Sequence, residues 1–209
     1  MAILKVVVLI SGRGSNLKAI VNKCSKKDVP AKVVGIISNN LTASGLKIKG
    51  KFEKIVIKKS NKKEFEKDLQ INLKKLDPDL ICLAGFMKIL TPFIIRKWKN
   101  KIINVHPSLL PSFKGLDTHN RVLNEGVKIS GCTIHFVDES LDGGPIIAQA
   151  ATVVDKNTTS KQLSKKILKI EHKLYSEVVS LFAKKKIILK NNKVIIKSEK
   201  VFNSFIKSI

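Results

Sequence analysis

"LKVVVLISGRGSN" (Leu4–Asn16) decides how the rest of the chain is read. Leu4–Ile10 is a near-continuous apolar run rich in β-branched residues, as expected of a parallel strand covered on both faces. A glycine-rich turn follows, then Leu17, Ile20, Val21 and Cys24 at helical spacing. Working outward, Ala31–Ser38 is a second strand and Glu53–Ile57 a short third. Asn61 with Glu64 resembles a capping box ahead of a helix carrying Phe65, Leu69, Leu73 and Leu76 on one face. Asp77-Pro78 stops that helix, and Leu80–Phe86 makes a fourth strand. A short helix over Thr91–Trp98 leads to the fifth, Lys101–Val105. Strand and helix alternate, so the expected class is α/β, an open, mostly parallel twisted sheet flanked by helices and Rossmann-like.

After Pro111 the pattern changes. "GCTIHFV" and "PIIAQAATVV" flank "DESLDGG", a hairpin-like pair around a glycine-rich loop. A long amphipathic helix follows, with Leu163, Ile167, Ile170, Leu174, Val178 and Leu181 on one stripe. The tail from Lys184 alternates basic and apolar residues. With 209 residues, no internal repeat and no long linker, the expectation is one domain over 1–209, made of 1–100, 101–183 and a basic tail 184–209.

No apolar run of about 18 residues exists, so a transmembrane helix is not expected. Lys5 interrupts the first apolar run and "SGRGSN" does not look like a cleavage site, so a cytoplasmic location is expected. Cys24, Cys82 and Cys132 lie far apart with no CxxC pair, which fits reduced, buried thiols and neither a disulfide framework nor a metal site. The net charge of +24 invites a nucleic-acid reading. The lysines are spread along the whole chain, however, and one Trp and one Tyr make a poor stacking platform. A general surface preference for Lys is favoured, and a field attracting small polyanionic substrates is a third reading.

"SGRGSN" lies between a strand and a helix, where free N–H groups face an anion. Gly14, Ser15 and Asn16 meet neither the dinucleotide nor the Walker pattern, so a single phosphate fits better than a nucleotide. A plain turn with Ser15 as helix cap fits the same spacing. "GFMKIL" (Gly85–Leu90) and "NVHPSLLP" (Asn104–Pro111) begin at the carboxyl ends of the fourth and fifth strands, where open α/β sheets place ligands, although on spacing alone "GFMKIL" reads more readily as a lead-in to the next helix. Asn104 and His106 are two apart on an extended segment and share one side of it. An amide donor beside an imidazole suits a reacting carbonyl, binding its oxygen and moving its proton, although taken alone His106 is more often a capped strand end than a catalyst. Asp142 is either a turn residue or a partner that favours the charged imidazole of His106. His135 sits in a strand, where a supporting role is the default, and His119 and His172 have no comparable neighbourhood.

The ordered set "LISGRGSNL", "LAGFMKIL", "NVHPSLLPSFKG" and "GCTIHFVDESLDGGPII" closely resembles the phosphoribosylglycinamide formyltransferase family, over Lys5 to Phe182. That resemblance implies direct formyl transfer from 10-formyltetrahydrofolate, a cosubstrate, to the amine of glycinamide ribonucleotide in purine synthesis, without a metal. It implies Asn104 as oxyanion donor, His106 as catalytic imidazole, and Asp142 as the carboxylate that raises its basicity and orders a relay water. Gly14, Ser15 and Asn16 match the loop holding the substrate phosphate, and Glu171 a carboxylate near its glycinamide and ribose end. Met87, Lys88, Ile89 and Leu90, with Asn104, match the folate-binding segment, and loop Asp138–Asp142 closes over the pterin. Lys62 falls where relatives often carry an Arg that meets the folate tail. Lys88 and Lys62 both replace Arg, keeping the charge but losing the bidentate fork. No specific nucleic acid and no membrane partner are implied, and the chain is expected to be a monomer or homodimer.

Two related activities share parts of this signature. Methionyl-tRNA formyltransferase needs a C-terminal RNA-binding domain that the tail cannot supply. Formyltetrahydrofolate hydrolase places a regulatory domain before its catalytic one, whereas the first strand here begins at Leu4. A non-enzymatic basic binding module would explain the charge but leave Asn104, His106 and Asp142 without purpose.

Overall fold

The structure, a computed structural model, describes residues 2–197. Nine strands and five α-helices are arranged among these residues as β1 (Leu4–Ile10), α1 (Ser15–Cys24), β2 (Ala31–Ser38), β3 (Glu53–Val56), α2 (Lys62–Leu76), β4 (Leu80–Leu83), α3 (Pro92–Lys97), β5 (Ile102–His106), α4 (Thr118–Asn124), β6 (Ile129–Phe136), β7 (Ile146–Val153), α5 (Ser160–Ala183), β8 (Ile187–Lys190) and β9 (Lys193–Ile196). Seven strands form one sheet in the order β3-β2-β1-β4-β5-β6-β7. The first five are parallel, and β6 and β7 join antiparallel to β5 and to each other.

β1 shows why its apolar run is unbroken. Val6, Val8 and Ile10 pack with Leu17, Ile20, Leu163, Ile167 and Leu174 on one face of the sheet. Val7 and Leu9 pack with Phe65, Leu69, Leu73, Ile94 and Trp98 on the other. A residue on either face of this strand therefore enters a core, which is the condition for a helix-covered parallel sheet. The Asn61 side chain accepts from the N–H groups of Lys63 and Glu64, at 2.8 and 3.3 Å. That is the capping half of the expected box; Glu64 instead faces Lys59. Asp77 ends α2 in the left-handed region, with φ of 43°.

Two expectations are corrected. β4 ends at Leu83 rather than Phe86, because Gly85 turns into the left-handed region (φ +69°) and carries the chain off the sheet. Cys24 is only partly buried, whereas Cys82 and Cys132 are buried. The start of the basic tail is a two-stranded hairpin, β8 with β9, and its last residues lie outside the described ones. Among the described residues no helix is long and apolar enough to cross a membrane.

The chain runs from β1 outward to β2 and β3, then returns to β4 on the other side of β1. That reversal puts the topological switch point, and with it the ligand crevice of an open sheet, at the carboxyl ends of β1 and β4. The buried Tyr175 hydroxyl of α5 lies 3.1 Å from the carbonyl of Leu83 and 3.0 Å from that of Ile103, spanning β4 and β5 beside the crevice.

Candidate active site

The carboxyl ends of β1, β4 and β5 lie side by side at this edge. After β1, Gly14 is the N-cap of α1 in the left-handed region (φ 70°), with no side-chain cap bond. A Cβ there would stand 2.7 Å from the Gly45 Cα, so only glycine lets the turn at Ser44–Lys47 close on the loop. Ser15 is thus the first helical residue and not the cap, and the amino end of α1 keeps its N–H groups for an anion. Asn16 and Glu171 are both buried, and the Asn16 amide donates to a Glu171 carboxylate oxygen at 2.8 Å. Burial pushes the Glu171 carboxyl above its ordinary value, and the Asn16 bond pulls it partly back. The Asn16 Oδ1 is buried without a partner among the described residues.

At the end of β5, Asn104 and His106 point to the same side, and loop 137–145 runs back to set Asp142 beside them. His106 Nε2 lies 2.8 Å from the Phe113 carbonyl, and its Nδ1 lies 3.2 Å from Asp142 Oδ2. A carbonyl only accepts, so Nε2 carries the proton toward Phe113, and a ring protonated on both nitrogens satisfies both neighbours. Asp142 also accepts from the Gly115 N–H at 2.9 Å. Phe113 holds φ at 56°, a strained position for an aromatic residue, and Ser108 Oγ donates to the Ser112 carbonyl beside it at 2.6 Å.

His135 orders this cluster. Its Nδ1 donates to the Phe136 carbonyl at 2.8 Å, leaving Nε2 as acceptor for the Asn104 amide at 3.3 Å. Burial holds its imidazole below the usual value, which keeps Nε2 free to accept. Asn104 therefore spends one amide hydrogen on His135 and has a second to offer a developing oxyanion.

The segment Met87–Leu90 crosses in front of β4. Met87 and Ile89 are about 70% exposed, while Leu90 is buried and anchors it. Phe86 stacks on Phe65 at 6.1 Å, and Lys88 Nζ stands 5.1 Å from the centre of the same ring. Buried Glu66 accepts from the Thr91 N–H at 2.6 Å, tying the far end of the segment to α2. Lys62 is the exposed first residue of α2, one turn before Phe65, and among the described residues it bonds to no member of the cluster. Loop Asp138–Asp142 is braced by the Arg96–Glu139 pair, with Nε to Oε1 at 2.6 Å. It presents Leu141, 56% exposed.

A profile of the formyl transferase family matches residues 4–179. The chain belongs to the formyl transferase family. Phosphoribosylglycinamide formyltransferase of Haemophilus influenzae is 38% identical over 194 residues, 90% of this chain and 91% of that protein. The trifunctional purine biosynthetic protein adenosine-3 of Bos taurus is 41% identical over 187 residues, 86% of this chain. The chain spans only 18% of that much longer relative. The crystal structure of phosphoribosylglycinamide formyltransferase from Anaplasma phagocytophilum superposes with a TM-score of 0.88 at 43% identity, covering 94% of this chain and 96% of that one.

Within this family fold, the structure brings together Asn104, His106 and Asp142, and separately Gly14, Ser15, Asn16 and Glu171. Three neighbours escaped the reading of the sequence. Ser11 and Asn39 link the ends of β1, β2 and β4, with Ser11 Oγ donating to Asn39 Oδ1 at 2.6 Å. Burial holds the imidazole of His119, on α4, below its ordinary value, with lesser influences from Asp117, which raises it, and from His106, which lowers it. No local pattern announces these contacts, and the pairing of His135 with Asn104 comes from the β5–β6 register, which sequence spacing does not give.

Proposed function

We propose that this chain transfers the formyl group of 10-formyltetrahydrofolate to the amine of N1-(5-phosphoribosyl)glycinamide, releasing tetrahydrofolate, in cytoplasmic purine synthesis. The observation that carries this reading is the convergence of Asn104, His106 and Asp142 across the crevice from the anion-ready loop at Gly14–Asn16. The substrate phosphate docks on the amino end of α1, and Glu171 with Asn16 receives hydroxyl or amide donors further along the same molecule. Met87–Leu90 and the Asp138–Asp142 loop hold the folate ring between exposed apolar side chains, with Lys88 and Lys62 toward its acidic tail.

The amine nitrogen attacks the formyl carbon, its C=O electrons move onto oxygen, and the free amide hydrogen of Asn104 meets that oxyanion. The ammonium formed must lose a proton, and the departing folate nitrogen must gain one as the C–N bond breaks. His106 exchanges the Phe113 carbonyl for the reacting group and delivers that proton, while Asp142 stabilises the imidazolium and orders a relay water. No step calls for a metal ion. His106→Ala is expected to lower turnover by about 100-fold or more while formylfolate still binds. Near-normal turnover in that variant would remove the assigned role.

A further inference from the structure

Resting on the two-substrate reading above, we propose that Ser11 is a positioning residue that couples the phosphate loop to the formylfolate segment, so that occupation of either half-site tightens the other. Ser11 follows β1 at the switch point and is the first residue of the glycine-rich turn. Its main chain is fixed twice, its N–H donating to the Gly85 carbonyl at 3.1 Å and its carbonyl accepting from Asn40 Nδ2 at 3.1 Å. Its hydroxyl is oriented by donation to Asn39 Oδ1, which leaves lone pairs to accept the Met87 N–H at 2.8 Å.

That last bond matters because of what the segment lacks elsewhere. Gly85, in the left-handed region with nothing within 4 Å of an added Cβ, releases the chain from β4 into open space. Among the described residues, the backbone N–H groups from Phe86 to Leu90 have one hydrogen-bond acceptor between them, and it is the Ser11 hydroxyl. Ser11 is joined to Gly12 by a single peptide bond, and Gly12 accepts from the Gly45 N–H at 3.1 Å in the turn that closes on Gly14. An anion that orders Gly12–Asn16 therefore fixes Ser11, and through its hydroxyl the main chain at Met87. A folate ring laid against Met87 returns the same constraint to the loop, since coupling of two binding sites is reciprocal.

The test is calorimetric titration of the full chain with tetrahydrofolate, with and without saturating ribose 5-phosphate, in wild type, Ser11→Ala and Ser11→Thr. Wild type is expected to bind tetrahydrofolate about fivefold or more tightly when ribose 5-phosphate is present. Ser11→Ala should bind ribose 5-phosphate almost as before, bind tetrahydrofolate severalfold more weakly, and lose the enhancement. Ser11→Thr, which keeps the hydroxyl, should recover it. Asn39→Ala provides a second perturbation, leaving the hydroxyl in place but unoriented, and should reduce the enhancement too. Enhancement that survives in Ser11→Ala, or its absence in a wild-type protein that binds both ligands, overturns the Ser11 proposal alone. A wild-type protein that binds neither ligand overturns the formyl-transfer reading along with it.

Discussion

Replacing Asp142 by Asn separates the chemistry of the cluster from its packing. The side chain is 11% exposed, accepts from the Gly115 N–H, and lies 3.2 Å from His106 Nδ1. Asn keeps the volume, and its carbonyl oxygen can still serve Gly115, so the loop loses little. The contact with His106 changes in kind, because a neutral amide no longer balances an imidazolium. The lost charge-assisted bond is worth about 1.5–3 kcal/mol, or roughly 3–12 °C in melting temperature for a chain of this size. Positioned proton transfer contributes on the order of 10²–10⁴ in rate, about 2.7–5.4 kcal/mol of barrier. The expected outcome is a variant that stays folded at 25 °C and loses 100-fold or more in kcat/KM. Formyl transfer would be followed as the absorbance change from formylfolate to tetrahydrofolate, with melting by calorimetry on the same samples. A kcat/KM within about threefold of wild type would show that the Asp142 charge does not support proton transfer at His106. So would a loss of activity that only tracks unfolding.

Three histidines make the fold acid-sensitive in a definable window. Burial holds His119, His135 and His172 below the ordinary value, so the unfolded chain takes up protons first, near ~6.5. Their contribution to stability is present above that pH and is lost as pH falls through the folded values. The lowered carboxyls of Asp28, Asp77 and Glu139 act in the same direction but below about 4. The raised Glu171 acts with opposite sign, its contribution present below the ordinary carboxyl value and lost as pH rises through the folded one. Urea unfolding of Glu171→Gln should therefore show lower stability at pH 5.5 than at 7.5, and equal or higher stability at 5.5 would contradict this. Gly14→Ala forces a Cβ to 2.7 Å from the Gly45 Cα in a left-handed backbone. It should cost about 1–3 kcal/mol in urea unfolding and weaken ribose 5-phosphate binding. An unchanged midpoint and affinity would show that the loop relaxes freely.

Much of the fold and part of the site are legible in the sequence, for local reasons. Leu4–Ile10 reads as a doubly covered strand because both of its faces are apolar, and the structure sends Val6 and Val7 to opposite cores. Asn104 and His106 share a side because a strand repeats every two residues. Asp142 could not be joined to them by spacing, because its approach depends on the β5–β6 register and on a loop that folds back over it. Family resemblance supplied that partner. The Ser11 hydroxyl escaped for a similar reason: its partners come from the ends of two other strands, and a serine in a glycine-rich turn carries no mark of them. Gly85 opens a segment expected at the carboxyl end of the fourth strand, but its positive φ, which ends β4 early, belongs to tertiary context.

We propose the amine of glycinamide ribonucleotide as the formyl acceptor, and competing acceptors test this directly. Formyl transfer should be measured with 10-formyltetrahydrofolate as donor and three acceptors offered in turn: that amine, charged initiator tRNA, and water alone. Turnover should be fastest with glycinamide ribonucleotide and should collapse in His106→Ala. Faster turnover with tRNA or with water would contradict this assignment.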